Sequence, residues 1–163
     1  RHGKSDWDAS FSHDHERPLS RRGIRAAETM GIVLANAGLV PDHAYTSSAV
    51  RARTTLELAI ESGGWDTTVD VTDDLYGTSP SGALQVAAHA PDDAEAVMLV
   101  GHEPTWSALA YHLTGGAVTV KTATIVGIDL YVDHWTRLPA VSGDLAFVLQ
   151  PKHFTKKSWD LQD

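Results

Sequence analysis

Residues 96–100, Ala-Val-Met-Leu-Val, form an uninterrupted apolar run of strand length. A run that is apolar at every position, rather than at alternate ones, suits a strand covered on both faces. Gly101-His102-Glu103-Pro104 follows at once, and Pro104 predicts the start of a helix that carries Leu109 and Leu113 on one side and ends at Gly115-Gly116. A doubly covered strand needs partners in the sheet and helices above and below it. The rest of the chain must supply them.

It does so in alternation. Ser20 is a plausible N-cap for a helix with Ala27, Met30, Leu34 and Ala37 at helical spacing, ended by Gly38. Residues 43–47 read as a short strand. Ser48 is placed to cap a second helix carrying Val50, Leu56 and Ile60, closed by Gly63-Gly64. A strand over 69–71, a helix opening at Ser79-Pro80, and strands over 122–132 and 144–150 complete the pattern, with a polar loop over 6–18 and a polar tail from Lys152. This predicts an α/β fold: one three-layer domain over residues 1–163, with a mostly parallel central sheet and helices on both faces. In such sheets ligands bind beyond the carboxyl ends of the strands. Arg51 and His102 fall at those ends. Arg1-His2 would occupy a third, after a short apolar strand expected upstream of Arg1.

Composition narrows the function. Lys+Arg of 13 against Asp+Glu of 21 leaves a net charge of −8, which argues against nucleic acid or an anionic membrane surface as partner. It also makes any local group of arginines informative. There is no cysteine, so disulfides, thiolate catalysis and cysteine zinc sites are excluded. No apolar run reaches the roughly 18 residues of a membrane span. A cytoplasmic monomer is expected.

The candidate chemistry is phosphoryl transfer. Arg1 offers a planar fork of donors that fits phosphate oxygens. His2 can act as a nucleophile once one ring nitrogen is unprotonated. Gly3 lets the backbone approach an anion closely, and Ser5 adds a hydroxyl. Arg51 lies in the first turn of its predicted helix, where free N–H groups and the helix dipole favour an anion. Arg53 reads as a solvated helix arginine. His102, if protonated, would donate to a phosphoryl oxygen. Asp74, with Asp73 behind it, is the candidate acid for the leaving group. Trp7 is close enough in sequence to line the entrance.

Arg1-His2-Gly3, the arginine segment 48–55 and Gly101-His102 occur in an order that resembles the histidine phosphatase, or phosphoglycerate-mutase-like, superfamily. Residues 1–7, Asp14-His15-Glu16-Arg17-Pro18-Leu19, Arg22-Gly23, 121–124 and 149–152 are similar to the SixA group of protein phosphohistidine phosphatases. The resemblance implies that His2 becomes phosphorylated while Arg1, Arg51 and His102 hold the phosphoryl group. It implies a phosphate contact for Ser5. No cofactor is expected. Many relatives carry glutamate just before Leu-Tyr as proton donor; here Asp74 stands in that place, one methylene shorter.

The short connections between Arg51, Asp74 and His102 leave no room for a lid, so the pocket should stay open. That favours a phosphorylated protein, such as a phosphohistidine carrier, over a small phosphate ester, and it disfavours mutase chemistry. Two other readings compete. The same cationic pocket could bind phosphoprotein without turnover, and the nine histidines raise the question of a metal. The obvious histidine cluster, His13-Asp14-His15, sits in a polar loop, and no metal is expected. The remaining histidines and the tryptophans Trp65, Trp106, Trp135 and Trp159 read as packing or surface residues.

Overall fold

The computed structural model describes residues 1–155 of the chain; Trp159 and the end of the polar tail lie outside them. Ser20 caps α1 (Arg21–Ala37) by accepting from the Gly23 N–H, and Gly38 ends the helix at φ 68°. Strand β1 (His43–Ser47) leads into α2 (Val50–Gly63), and Gly64 ends that helix at φ 64°. Then come β2 (Thr68–Thr72), α3 (Pro80–Ala87) with its Ser79 cap, β3 (Val97–Val100) and α4 (Thr105–Thr114). Strands β4 (Ile125–Leu130) and β5 (Gly143–Leu149) follow, with the short α5 (Lys152–Thr155) after them.

Strands β2, β1 and β3 pair in parallel in that order, so β1 is central and all five of its residues are buried. Strands β4 and β5 form a separate antiparallel pair. The parallel three-strand sheet with its helices is the expected α/β arrangement, and β4 and β5 lie beside it as an antiparallel pair. The first residues of the chain join them: His2 N–H donates to Gly101 O at 3.1 Å, and Ala123 N–H donates to the carbonyls of Arg1 and His2.

Side chains alternate across the parallel strands, and two cores result. On one face Ala44, Met98 and Val100 meet Leu34 of α1 and Ala52, Leu56 and Ala59 of α2. On the other, Tyr45, Val97 and Leu99 meet Ala83 and Leu84 of α3 and Trp106, Leu109 and Leu113 of α4. Helices thus cover both faces, as the apolar run at 96–100 requires. Within that run Val100 is buried, while Val97, Met98 and Leu99 are half-buried.

Two local expectations change. Ser48 does not cap α2; Ala49 holds the cap position with no side-chain bond. The polar loop 6–18 contains a single 3₁₀ turn over Asp14–Glu16, which turns out to matter for the site.

Candidate active site

A cleft of about 480 Å³ opens at the carboxyl ends of β1 and β3. Arg1, His2, Ser5, Trp7, Arg51 and His102 all line it. Gly3 sits beneath. Its N–H donates to Thr55 Oγ1 at 2.9 Å, and a Cβ there would lie 2.8 Å from Gly23 O on the first turn of α1. Glycine at position 3 is therefore what lets α1 close against the His2 backbone.

His2 is 7 % exposed. Its Nδ1 lies 2.7 Å from the Gly3 carbonyl, which can only accept, so Nδ1 carries the ring proton and Nε2 keeps a lone pair. Burial, with His102 and Arg51 adding to it against the Gly3 bond, pushes the His2 pKa down to about 3. The imidazole is neutral near pH 7, the form a nucleophile needs.

The rings of His102 and His2 lie 5.0 Å apart. Arg51 Nη2 approaches His102 Nδ1 at 3.3 Å, and a guanidinium cannot accept. His102 therefore holds its proton on Nε2 and donates it to Ser47 Oγ at 2.9 Å. Burial and then the Arg51 charge lower its pKa to about 4. The expected imidazolium donor is thus a neutral ring in this structure, with both nitrogens engaged by protein.

Arg51 is 4 % exposed, whereas Arg53, two residues along α2, points to solvent. Arg1 donates from Nη1 to Val120 O at 3.0 Å. The buried Nε of both Arg1 and Arg51 has no protein acceptor among the described residues.

Asp74 is corrected. It is exposed in the turn Asp73–Leu75, its N–H bonds the Thr72 hydroxyl, and it does not line the cleft. The turn aims Leu75 into the core and thereby sends Asp74 outward. Its neighbour Asp73 instead accepts from Ser48, whose hydroxyl also bonds His15 Nε2 at 2.8 Å.

The sequence reading missed several lining residues, chiefly Asp14, Arg17, Tyr76 and Glu103. Arg17 is 6 % exposed, bonds Ser5 Oγ, and stacks its guanidinium 3.6 Å from the exposed Trp7 ring. A signal existed: an arginine next to Pro18 in an acidic chain. Tyr76 stands two residues past Asp74, and its ring meets His102 edge-on at 5.3 Å. Glu103 spends both carboxylate oxygens on Ser107 at the start of α4. Among the described residues no group of three or more His, Asp or Glu could hold a metal ion.

A neutral buried histidine shares one cleft with three arginines at the strand ends of an α/β domain, an arrangement chemically suited to phosphoryl transfer. Comparisons agree. The model of the histidine phosphatase superfamily, branch 1, matches residues 1–77. An uncharacterised protein of Mycobacterium tuberculosis is 40 % identical over 133 residues, covering 81 % of this chain and 75 % of that protein. A protein of Nakamurella multipartitia assigned as a SixA phosphohistidine phosphatase superposes with a TM-score of 0.78 at 28 % identity, covering 92 % of each chain. The protein histidine phosphatase SixA complexed with tungstate shares the fold, with a TM-score of 0.75 at 20 % identity over 93 % of this chain and 94 % of that one. The chain belongs to the histidine phosphatase superfamily and groups with its SixA-type members. It is a phosphatase-type enzyme.

Proposed function

We propose that this phosphatase removes the phosphoryl group from phosphohistidine on a protein, by way of a phosphohistidine on its own His2. The observation that carries the reading is the His2 tautomer: Nδ1–H is held by the Gly3 carbonyl and Nε2 has a free lone pair. In the first step Nε2 attacks phosphorus, and the substrate P–N bond breaks. The leaving imidazole nitrogen takes the electron pair and a proton from water. In the second step water attacks phosphorus on His2, phosphate departs, and Nε2 recovers its lone pair. Arg1, Arg17 and Arg51 balance the charge on the phosphoryl oxygens throughout.

The carboxylates favour this substrate over an alkyl phosphate. An alkoxide leaves poorly without an acid. Asp74 is outside the cleft, Glu103 is tied to Ser107, and Asp14 is held anionic by its neighbours. A P–N bond makes no such demand. The exposed Trp7 and Tyr76 at the mouth suit a side chain presented by another protein, a carrier or phosphorelay domain in the cytoplasm, met by a monomer.

The test is rapid quench with a radiolabelled phosphohistidine protein. Wild type should yield a transient, acid-labile and base-stable phosphoenzyme, and His2→Ala should lose turnover by on the order of 10⁴-fold or more. The wild-type kcat/KM should favour the phosphohistidine protein over an alkyl phosphate by roughly 10²-fold or more. Undiminished turnover in His2→Ala would overturn the mechanism. A preference for the alkyl ester would overturn the substrate assignment.

A further inference from the structure

Asp14 belongs to the His13-Asp14-His15 cluster, and phosphoryl transfer as described assigns it no part. Its carboxylate nevertheless gathers more of the cleft than any other side chain there. Oδ1 accepts from Arg17 Nε at 3.1 Å and from Arg17 Nη2 at 2.7 Å. Oδ2 accepts from Arg51 Nη2 at 2.9 Å and from the Tyr76 hydroxyl at 3.0 Å. The Asp14 backbone carbonyl accepts from Arg51 Nη1 at 2.6 Å. One residue therefore ties together Arg17, on the loop, and Arg51, on α2.

The next residue anchors the turn. His15 Nε2 lies 2.8 Å from Ser48 Oγ, and Ser48 donates onward to Asp73. His15 is thereby fixed to the β1–α2 connection, and its ring packs edge-on against Tyr76 at 5.1 Å. Asp14 is thus seated from both sides.

Two guanidinium groups brought to one small cleft repel each other, and each long arginine side chain loses rotamer freedom when it is held there. A carboxylate between them offsets the repulsion and fixes both forks before the substrate arrives. Partial burial works against its ionisation, yet the Arg17 and Tyr76 hydrogen bonds and the Arg51 charge hold its pKa at about 2. Both of its oxygens are occupied, so it is placed to organise the arginines and has no free lone-pair direction committed to a leaving group.

We propose that Asp14 is a positioning residue that holds Arg17 and Arg51 together as one clamp for the phosphoryl group. The inference rests on the reading that the cleft holds a phosphoryl group, but it is tested by equilibrium binding, so its failure and that of the catalytic scheme can be told apart. The probe is tungstate, titrated calorimetrically into the full chain. Asp14→Asn should weaken tungstate binding by roughly 10-fold or more, because the clamp loses its order. Arg17→Met should weaken it comparably. The double variant should be little worse than either single one, since both act through the same unit. His2→Ala should leave the Asp14 effect intact.

A melting curve of each variant separates a fold defect from loss of the clamp. If Asp14→Asn melts early, Tyr76→Phe removes one of the hydrogen bonds to the same carboxylate and should give a smaller loss, about 2- to 3-fold. Tighter tungstate binding in Asp14→Asn would make Asp14 a competitor of the phosphoryl group and overturn the proposal. Unchanged binding, or fully additive losses in the double variant, would overturn it too.

Discussion

Strand β1 runs between two buried-histidine environments. At its first residue His43 is 6 % exposed, its Nε2 lies 2.9 Å from Asp70 Oδ2, and its ring packs on Tyr45 at 4.7 Å. At its last residue Ser47 accepts from His102, beside His2. The histidines at the two ends are buried to nearly the same degree, so burial by itself does not make a reactive site. The difference is in the neighbours. His43 has a carboxylate for a partner. His2 and His102 have a carbonyl, a hydroxyl and an arginine. Burial, with the Arg51 charge adding to it, keeps both rings neutral, and the carbonyl, the hydroxyl and the arginine set which nitrogen carries the proton.

The strongest way to break this contrast is at Arg51. Arg51→Ala should cost on the order of 10²-fold or more in kcat/KM, the usual scale for losing a transition-state electrostatic partner. Arg53→Ala, exposed on the same helix, should stay within about twofold. Equal losses in the two variants would show that the buried end owes nothing to its cationic surroundings.

A second measurement sharpens the contrast through stability. The His2 and His102 pKa values lie at about 3 and about 4, below the ordinary 6.5. Between those limits the unfolded chain binds more protons than the folded one, so stability is full above about pH 6.5 and falls as pH drops towards 4. Urea unfolding should show a loss of roughly 2 kcal/mol per histidine, about 4 kcal/mol for the two, between about pH 7 and pH 5. A protein carrying both His2→Gln and His102→Gln should lose clearly less over the same range. An identical slope in the double variant would place the pH sensitivity elsewhere.

The smallest effect concerns the carboxylates away from the cleft. Asp70→Asn and Asp74→Asn should each leave kcat/KM within about twofold, on phosphohistidine protein and on aryl phosphate alike. A selective loss on an alkyl ester in Asp74→Asn would restore the acid role that the exposed position of Asp74 removes.

Much of the fold was legible because its signals are local. Ser20, Gly38, Ser79-Pro80 and Gly115 mark helix ends through their own backbone preferences, and each mark is where the helices stop or start. The apolar run at 96–100 called for cover on both faces, and it has it. The pairing of β4 with β5 was not legible. Strand pairing is a long-range choice, and nothing in residues 122–132 or 144–150 announces that they pair with each other in antiparallel fashion.

The site divides in the same way. The residue types, the strand-end placement of Arg51 and His102, and the burial difference between Arg51 and Arg53 all follow from position along an amphipathic α/β chain. By itself the sequence determined which segments become helix and strand, and which charged residues sit where a sheet ends, because both depend on neighbours a few residues away. Tertiary structure alone decided that Asp14 and Arg17 enter the cleft while Asp74 leaves it. It also decided that Ser48 serves His15 and Asp73 rather than α2, and that both histidines are neutral with opposite tautomers. The decisive partners here, Arg51 for Asp14, Ser48 for His15 and Ser47 for His102, are distant in sequence, and only folding brings them within 3 Å or so.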